Sequence, residues 1–159
     1  LGSNYGPNID AARFIFNELA PRLPNVTFVI AGGVGMAIPE GETRGNVLVT
    51  GFLEESEKLN WLKAADMAVN PMFGGSGTNI KMFDFMASGL PTISTDVGAR
   101  GIASPGGTAI QIASHDAQSF CNQITKVENY RFLCENCARP SKNIIQGEEM
   151  LIHKVEFED

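Results

Sequence analysis

The residues best suited to chemistry lie in one run, Gly74-Gly75-Ser76-Gly77-Thr78-Asn79-Ile80-Lys81-Met82-Phe83-Asp84. Its glycines leave backbone N–H groups uncovered, and the apolar spacing behind them predicts a helix closed by Gly89 and Pro91. Ser76 or Thr78 is placed to cap that helix. Uncovered N–H groups at a helix start point donors and partial positive charge at an anion, which suits a diphosphate. Lys81 adds a full positive charge, and Thr78 and Asn79 add short polar donors. Asp84 is the odd residue. The spacing predicts an apolar face of Ile80, Phe83, Met86 and Ala87, and Asp84 borders it. A carboxylate there needs partners. A pair of sugar hydroxyls would serve, and so would Lys81 three positions earlier; spacing alone leaves both open.

The flanking chain reads as the frame for this run. Pro7 suits a helix start, and Ile9, Ala12, Phe16, Leu19, Ala20 and Leu23 follow at helical spacing until Pro21 ends or bends the helix. Residues 26–31 form a β-branched run suited to a strand buried on both faces, and residues 47–50 form another. Glu54 and Glu55 open a helix through Leu59, Leu62 and Ala65. Residues 66–71 and 91–95 are short strands on either side of the central helix, and residues 108–112 an edge strand. Helices are expected at about 116–127 and 129–138, and a helical spacing recurs in the acidic stretch 147–159. Strand and helix in alternation predict a parallel sheet with helices on both faces. Ligands then bind beyond the carboxyl ends of the strands, where the loops 2–6, 32–35, 51–53, 71–79 and 96–101 gather the glycines. The loop 2–6, with Ser3 and Asn4, stands between a strand and a helix start and is open to an anion. Residues 32–35 resemble a dinucleotide turn, but no helix follows them directly, so they read as a strand-end turn.

The whole chain narrows the choice. Its 159 residues suffice for one domain, 1–159, with a real core. A net charge of −6 argues against a nucleic-acid partner, which needs a clustered basic face. No run approaches a membrane span. Three cysteines, Cys121, Cys134 and Cys137, imply reduced thiols and a cytoplasmic setting. Cys134 and Cys137 read as a redox pair, half a zinc site, or two thiols on one helix turn. His115 and His153 read as surface residues, and no cluster of ligands implies a metal. Leu1-Gly2-Ser3 reads as the end of a strand, so a fragment of a longer protein is expected.

From Pro71 to Gly101 the chain resembles the donor-binding, C-terminal half of retaining GT-B-fold glycosyltransferases, in the large family called glycosyl transferases group 1. Gly2-Ser3-Asn4, Val29-Ile30-Ala31-Gly32, Val49-Thr50-Gly51-Phe52 and Ala64-Ala65-Asp66 extend the likeness over about 140 residues. Its most specific part is Phe83-Asp84-Phe85-Met86-Ala87-Ser88-Gly89-Leu90-Pro91 followed by Ser94-Thr95. The resemblance implies a Rossmann-like three-layer α/β/α domain, one half of a GT-B fold. It implies a nucleoside diphosphate sugar as donor, a hexosyl group transferred, and no metal or other cofactor. The diphosphate would lie over Gly75, Ser76, Gly77, Thr78 and Asn79, the ribose on Asp84, and the base near Phe52 and Leu53. Two glutamates seven residues apart are usual in the family; here Asp84 takes the second position and Ser76 the first. The usual arginine after the first strand is also missing, with Asn4 nearby, so Lys81 and Arg100 are the cations left for phosphate. An N-terminal acceptor domain, often with a catalytic His, is implied as a partner and could bring the protein to the cytoplasmic face of a membrane. No catalytic residue is assigned within the chain, and the isolated domain is expected to bind donor weakly and transfer nothing. The rival readings are a non-catalytic nucleotide or nucleotide-sugar binding module and a structural domain whose glycines only make turns.

Overall fold

A computed structural model describes residues 1–39, 41–102 and 109–129. The segments expected to be helical at 129–138 and 147–159, the pair Cys134 and Cys137, and His153 lie outside the described residues. The elements run in alternation: α1 (Gly6–Phe14), β1 (Phe28–Ala31), β2 (Val47–Gly51), α2 (Glu55–Ala64), β3 (Ala68–Asn70), α3 (Ile80–Ala87), β4 (Thr92–Ser94), β5 (Ile110–Ile112) and α4 (Ala117–Asn129). All strand pairs are parallel. This is the expected Rossmann-like α/β architecture, with one correction. A single sheet was expected, but the described strands form two, β1-β2 and β3-β4-β5. β5 lies at an edge, as its alternating pattern predicts.

Helices cover the strands from both sides. On one side Leu19 and Phe28 meet Ile93, Phe120 and Ile124 in a fully enclosed cluster, and Ala12, Phe16, Ile30 and Val34 form its neighbour. On the other side Leu62, Ala68, Met82, Phe85 and Leu90 pack α2, β3 and α3 together. Each large apolar side chain buried here contributes about 1.5–3 kcal/mol. The helix begun by Pro7 changes character rather than simply ending. It widens into a π turn at Ile15–Leu19 and tightens into a 3-10 turn at Ala20–Arg22, which takes in Pro21. A missing N–H at Pro21 gives the chain no α-type bond there to keep.

α3 ends as its sequence requires. Gly89 takes φ +67, Gly89 N–H donates to the Met86 carbonyl at 3.0 Å, and Leu90 N–H to the Phe85 carbonyl at 3.0 Å. Leu90 then joins Phe85 in the same apolar cluster, completing a Schellman stop. The start of α3 departs from expectation. Its first residue is Ile80, with Asn79 at the cap position and no side-chain cap bond. Ser76 and Thr78 belong to the exposed turn upstream, because Gly77 (φ +76) turns the chain before the helix begins. The buried face differs too. Met82 and Phe85 face the core, whereas Ile80 and Phe83 are 77% and 51% exposed. Leu62, Ala68 and Leu90 lie on the Met82 side and decide the rotation.

Candidate functional site

An open pocket of about 420 Å³ lies beyond the carboxyl ends of β3 and β4, beside the opening loop. Three of the five glycine-bearing loops build it: Leu1, Gly2, Ser3 and Tyr5 at the opening, the turn 74–79, and Val97 with Arg100 from the loop after β4. Of the residues expected to bind the donor, Ser3, Gly75, Ser76, Gly77, Thr78, Asn79, Lys81 and Asp84 line it. Asn4, Phe52 and Leu53 do not. Asn4 is exposed beside the pocket, and the Phe52 ring, 79% exposed, lies over Gly33. Leu53 instead faces a second, larger cavity between the two sheets.

The turn is held open by its neighbours. Gly75 (φ +113) and Gly77 (φ +76) take left-handed backbone that other residues rarely adopt, and residues 74–78 are all exposed. Arg100 Nη1 donates to the Gly75 carbonyl at 3.1 Å. Beneath the turn runs a buried polar network. Asn70 Nδ2 donates to the Gly98 carbonyl at 3.1 Å, and Asn79 Nδ2 donates to the same oxygen at 3.1 Å. Ser94 Oγ donates to the Asn70 carbonyl, Thr95 Oγ1 donates to the Met72 carbonyl, and Gly98 N–H donates to Thr95 Oγ1. Buried hydroxyls and amides satisfied in this way fix the loops on either side of α3 relative to one another. Asn79 therefore ties two walls of the pocket together.

Lys81 turns into the pocket floor. Its Nζ donates to Asn8 Oδ1 at 2.6 Å and lies 3.8 Å from Met72 Sδ. Asn8 is buried, and its Nδ2 donates to the Ser3 carbonyl at 3.1 Å and Ser3 Oγ at 3.3 Å. Ser3, Asn8 and Lys81 thus form one chain of hydrogen bonds joining the opening loop to α3. Burial pushes Lys81 down to about 8, since desolvation disfavours the ammonium. Arg100 and Lys81 share one property: the partners they reach among the described residues are neutral.

Asp84 has a different partner from the one its spacing suggested. Lys81 does not pair with it; Lys58 of α2 does, at 3.4 Å from Oδ1. Lys58 also lies 2.8 Å from Glu55. The hydrogen bond that Lys58 donates to Glu55 first, and the Asp84 charge after it, raise Lys58 above the ordinary lysine value against its desolvation. Asp84 is about one-third exposed and lines the pocket. His115 lies at the surface as expected, with Nε2 2.7 Å from Asp96 Oδ1, and this bond holds the Asp96 carboxyl below its usual range. Among the described residues no group of three or more His, Cys, Asp and Glu is arranged to hold a metal ion, and no helix is long and apolar enough to cross a membrane.

Sequence reasoning missed Asn8 and Lys58. Asn8 carried a readable signal: it shares a helical stripe with Ala11 and Ala12, three and four residues on, and all three are buried. Lys58 carried none, because its contact with Asp84 spans 26 residues.

Parallel strands covered by helices on both faces, with a polar pocket at their carboxyl ends, define a Rossmann-like α/β domain of the kind that makes up GT-B glycosyltransferases. A family model described as glycosyl transferases group 1 matches residues 1–129. The chain belongs to that family, whose general activity is glycosyl transfer. No curated protein matches the chain.

Proposed function

We propose that this domain binds the nucleoside diphosphate sugar donor of a retaining hexosyltransferase. The observation that carries the reading is the pair Lys81 and Arg100, two cations flanking an exposed turn of glycine N–H groups with neutral oxygens as partners. A diphosphate would supply the missing negative charge and accept from the N–H groups of residues 75–79. The ribose hydroxyls would donate to Asp84, with Lys58 holding that carboxylate in place. The base would extend past Ser3 and Asn4 toward the exposed Phe52 ring, with Leu53 behind it. Ser76 stands beside the sugar, where it offers a hydroxyl in place of the family's first glutamate. No metal is needed in this scheme, because the protein's own cations meet the phosphates.

The acceptor and the group that deprotonates it would come from a partner domain of the same enzyme, working in the cytoplasm or at the cytoplasmic face of a membrane. The domain by itself would bind donor and transfer nothing. Ser76 also favours a second reading, a nucleotide-sugar binding module without activity; donor hydrolysis by the full-length protein separates the two. Thermal shift with UDP, GDP and their sugars tests binding itself. A rise in melting temperature at millimolar nucleotide is expected, and it should shrink in Asp84→Ala and Thr78→Ala. No shift with any of them, or shifts unchanged in both variants, would sink the assignment.

A further inference from the structure

His115 has no place in the proposed donor site, yet it touches two of the loops that build that site. Its Nε2 lies 2.7 Å from Asp96 Oδ1. A carboxylate only accepts, so Nε2 carries the proton of this bond. The imidazole also meets the Phe73 ring edge-on, with centroids 5.3 Å apart. Phe73 immediately precedes the glycine turn 74–79, and Asp96 opens the loop after β4 that carries Arg100. Phe73, Asp96 and His115 all lie outside the pocket, so any effect they have on a ligand passes through those loops. Phe73 is anchored in turn on Phe14 of α1 at 4.8 Å, and Phe14 on Phe120 of α4 at 5.7 Å. The neighbours of His115 in sequence are held as well. Ala113 N–H donates to the Ser94 carbonyl of β4 at 2.8 Å, and the Asp116 carboxylate accepts from the Ser119 N–H at the start of α4 at 2.8 Å.

The loop after β4 carries a hold at Asp96 through to Arg100, because it is one tight turn. Gly98 N–H donates to Thr95 Oγ1 at 2.9 Å, Ala99 N–H to the Thr95 carbonyl at 3.0 Å, and Arg100 N–H to the Val97 carbonyl at 3.4 Å. Thr95 and Gly98 fix its inner side on Met72, Asn70 and Asn79. On the solvent side two exposed bonds hold it: Asp96 with His115, and Arg100 with the Gly75 carbonyl. An Arg100 that turns to a phosphate gives up its link to Gly75, and His115 then still bridges the two walls. We propose that His115 is a positioning residue for the donor site. Bonded to Asp96 and packed on Phe73, it ties the two loops together and sets Arg100 at a fixed distance from the glycine turn. The inference rests on the donor reading above and adds to it a residue that acts without touching the ligand. An exposed pair of this kind is weak, so its effect is a few-fold in affinity.

The test is a calorimetric titration of UDP-glucose and of GDP-mannose at pH 7. His115→Leu removes the N–H and keeps an apolar group against Phe73, and it should weaken binding about three- to fivefold. His115→Gln returns an N–H donor at nearly the same reach and should restore affinity to within about twofold of the wild type. Asp96→Ala breaks the same bond from the other side, so it should match His115→Leu, and the two together should lose no more than either alone. Most of the effect of His115→Leu should vanish on an Arg100→Met background, since His115 acts through Arg100. If His115→Leu does not fold, Asp96→Ala, at an exposed position, carries the same cycle with Arg100→Met. His115→Leu binding as the wild type does, His115→Gln as weak as His115→Leu, or full additivity with Arg100→Met overturns the proposal. A wild type that binds neither nucleotide sugar overturns the donor reading itself, and the proposal falls with it.

Discussion

Two of the glycine loops that follow strands, those after β1 and β3, are used oppositely. The loop after β1 is closed: Gly33 and Gly35 are buried in a 3-10 turn, with Phe52 over the first and Val49 against the second. The loop after β3 is open: residues 74–78 are exposed, and nothing lies within 4 Å of where a side chain would start at Gly74 or Gly77. The closed loop uses glycine to let side chains approach the backbone. The open loop uses it to leave N–H groups exposed, beside two cations whose partners among the described residues are neutral. Glycine content alone does not separate these roles; charge and the absence of covering side chains do.

The largest test of this contrast is Lys81→Met. Losing a charge-assisted bond worth about 1.5–3 kcal/mol should weaken binding of UDP or GDP by roughly 10- to 150-fold in calorimetry. Gly35→Ala comes next and acts on the other loop. A Cβ there would stand 2.6 Å from Val49 Cγ1, so denaturant melts should show a loss of about 1–3 kcal/mol, with nucleotide affinity of the folded protein unchanged. Asp84→Asn should cost nucleotide binding about tenfold, yet leave inorganic pyrophosphate binding as it was; an equal loss for both would remove the ribose role. Gly74→Ala, into open space on ordinary backbone, should change stability by less than about 0.5 kcal/mol.

Proton linkage sharpens the same point. In the free protein Lys81 holds its proton only up to about pH 8, whereas an unfolded lysine holds it to about 10.5. Between those values the unfolded state binds more protons, so stability contributed at this site rises with pH through that window. Anion affinity goes the other way: it is fully present below pH 8 and falls as Lys81 loses its proton. Nucleotide affinity measured from pH 7 to 9.5 should fall in the wild type and stay level in Lys81→Met.

Much of this was legible in the sequence because it is local. The Schellman stop at Gly89 and Leu90 follows from residue types a few positions apart, and so do the short parallel strands. The rotation of α3 was not legible, since Ile80, Met82, Phe83 and Phe85 make two plausible faces and only the position of Leu62 and Ala68 chooses between them. The partner of Asp84 was hidden for the same reason. Lys81 is the nearer cation in sequence, but the buried carbonyl oxygen of the Asn8 side chain captures it, and Lys58 arrives from another helix. Two sheets appeared where one was expected because periodicity shows that strands exist without showing which edges meet.

The most direct measurement is a titration of UDP and GDP followed by amide chemical shifts of the glycines. The account predicts that Gly75 and Gly77 move with saturation while Gly35, packed against Val49, stays still. Shifts confined to Gly35, or none at any of the three at millimolar nucleotide, would contradict it.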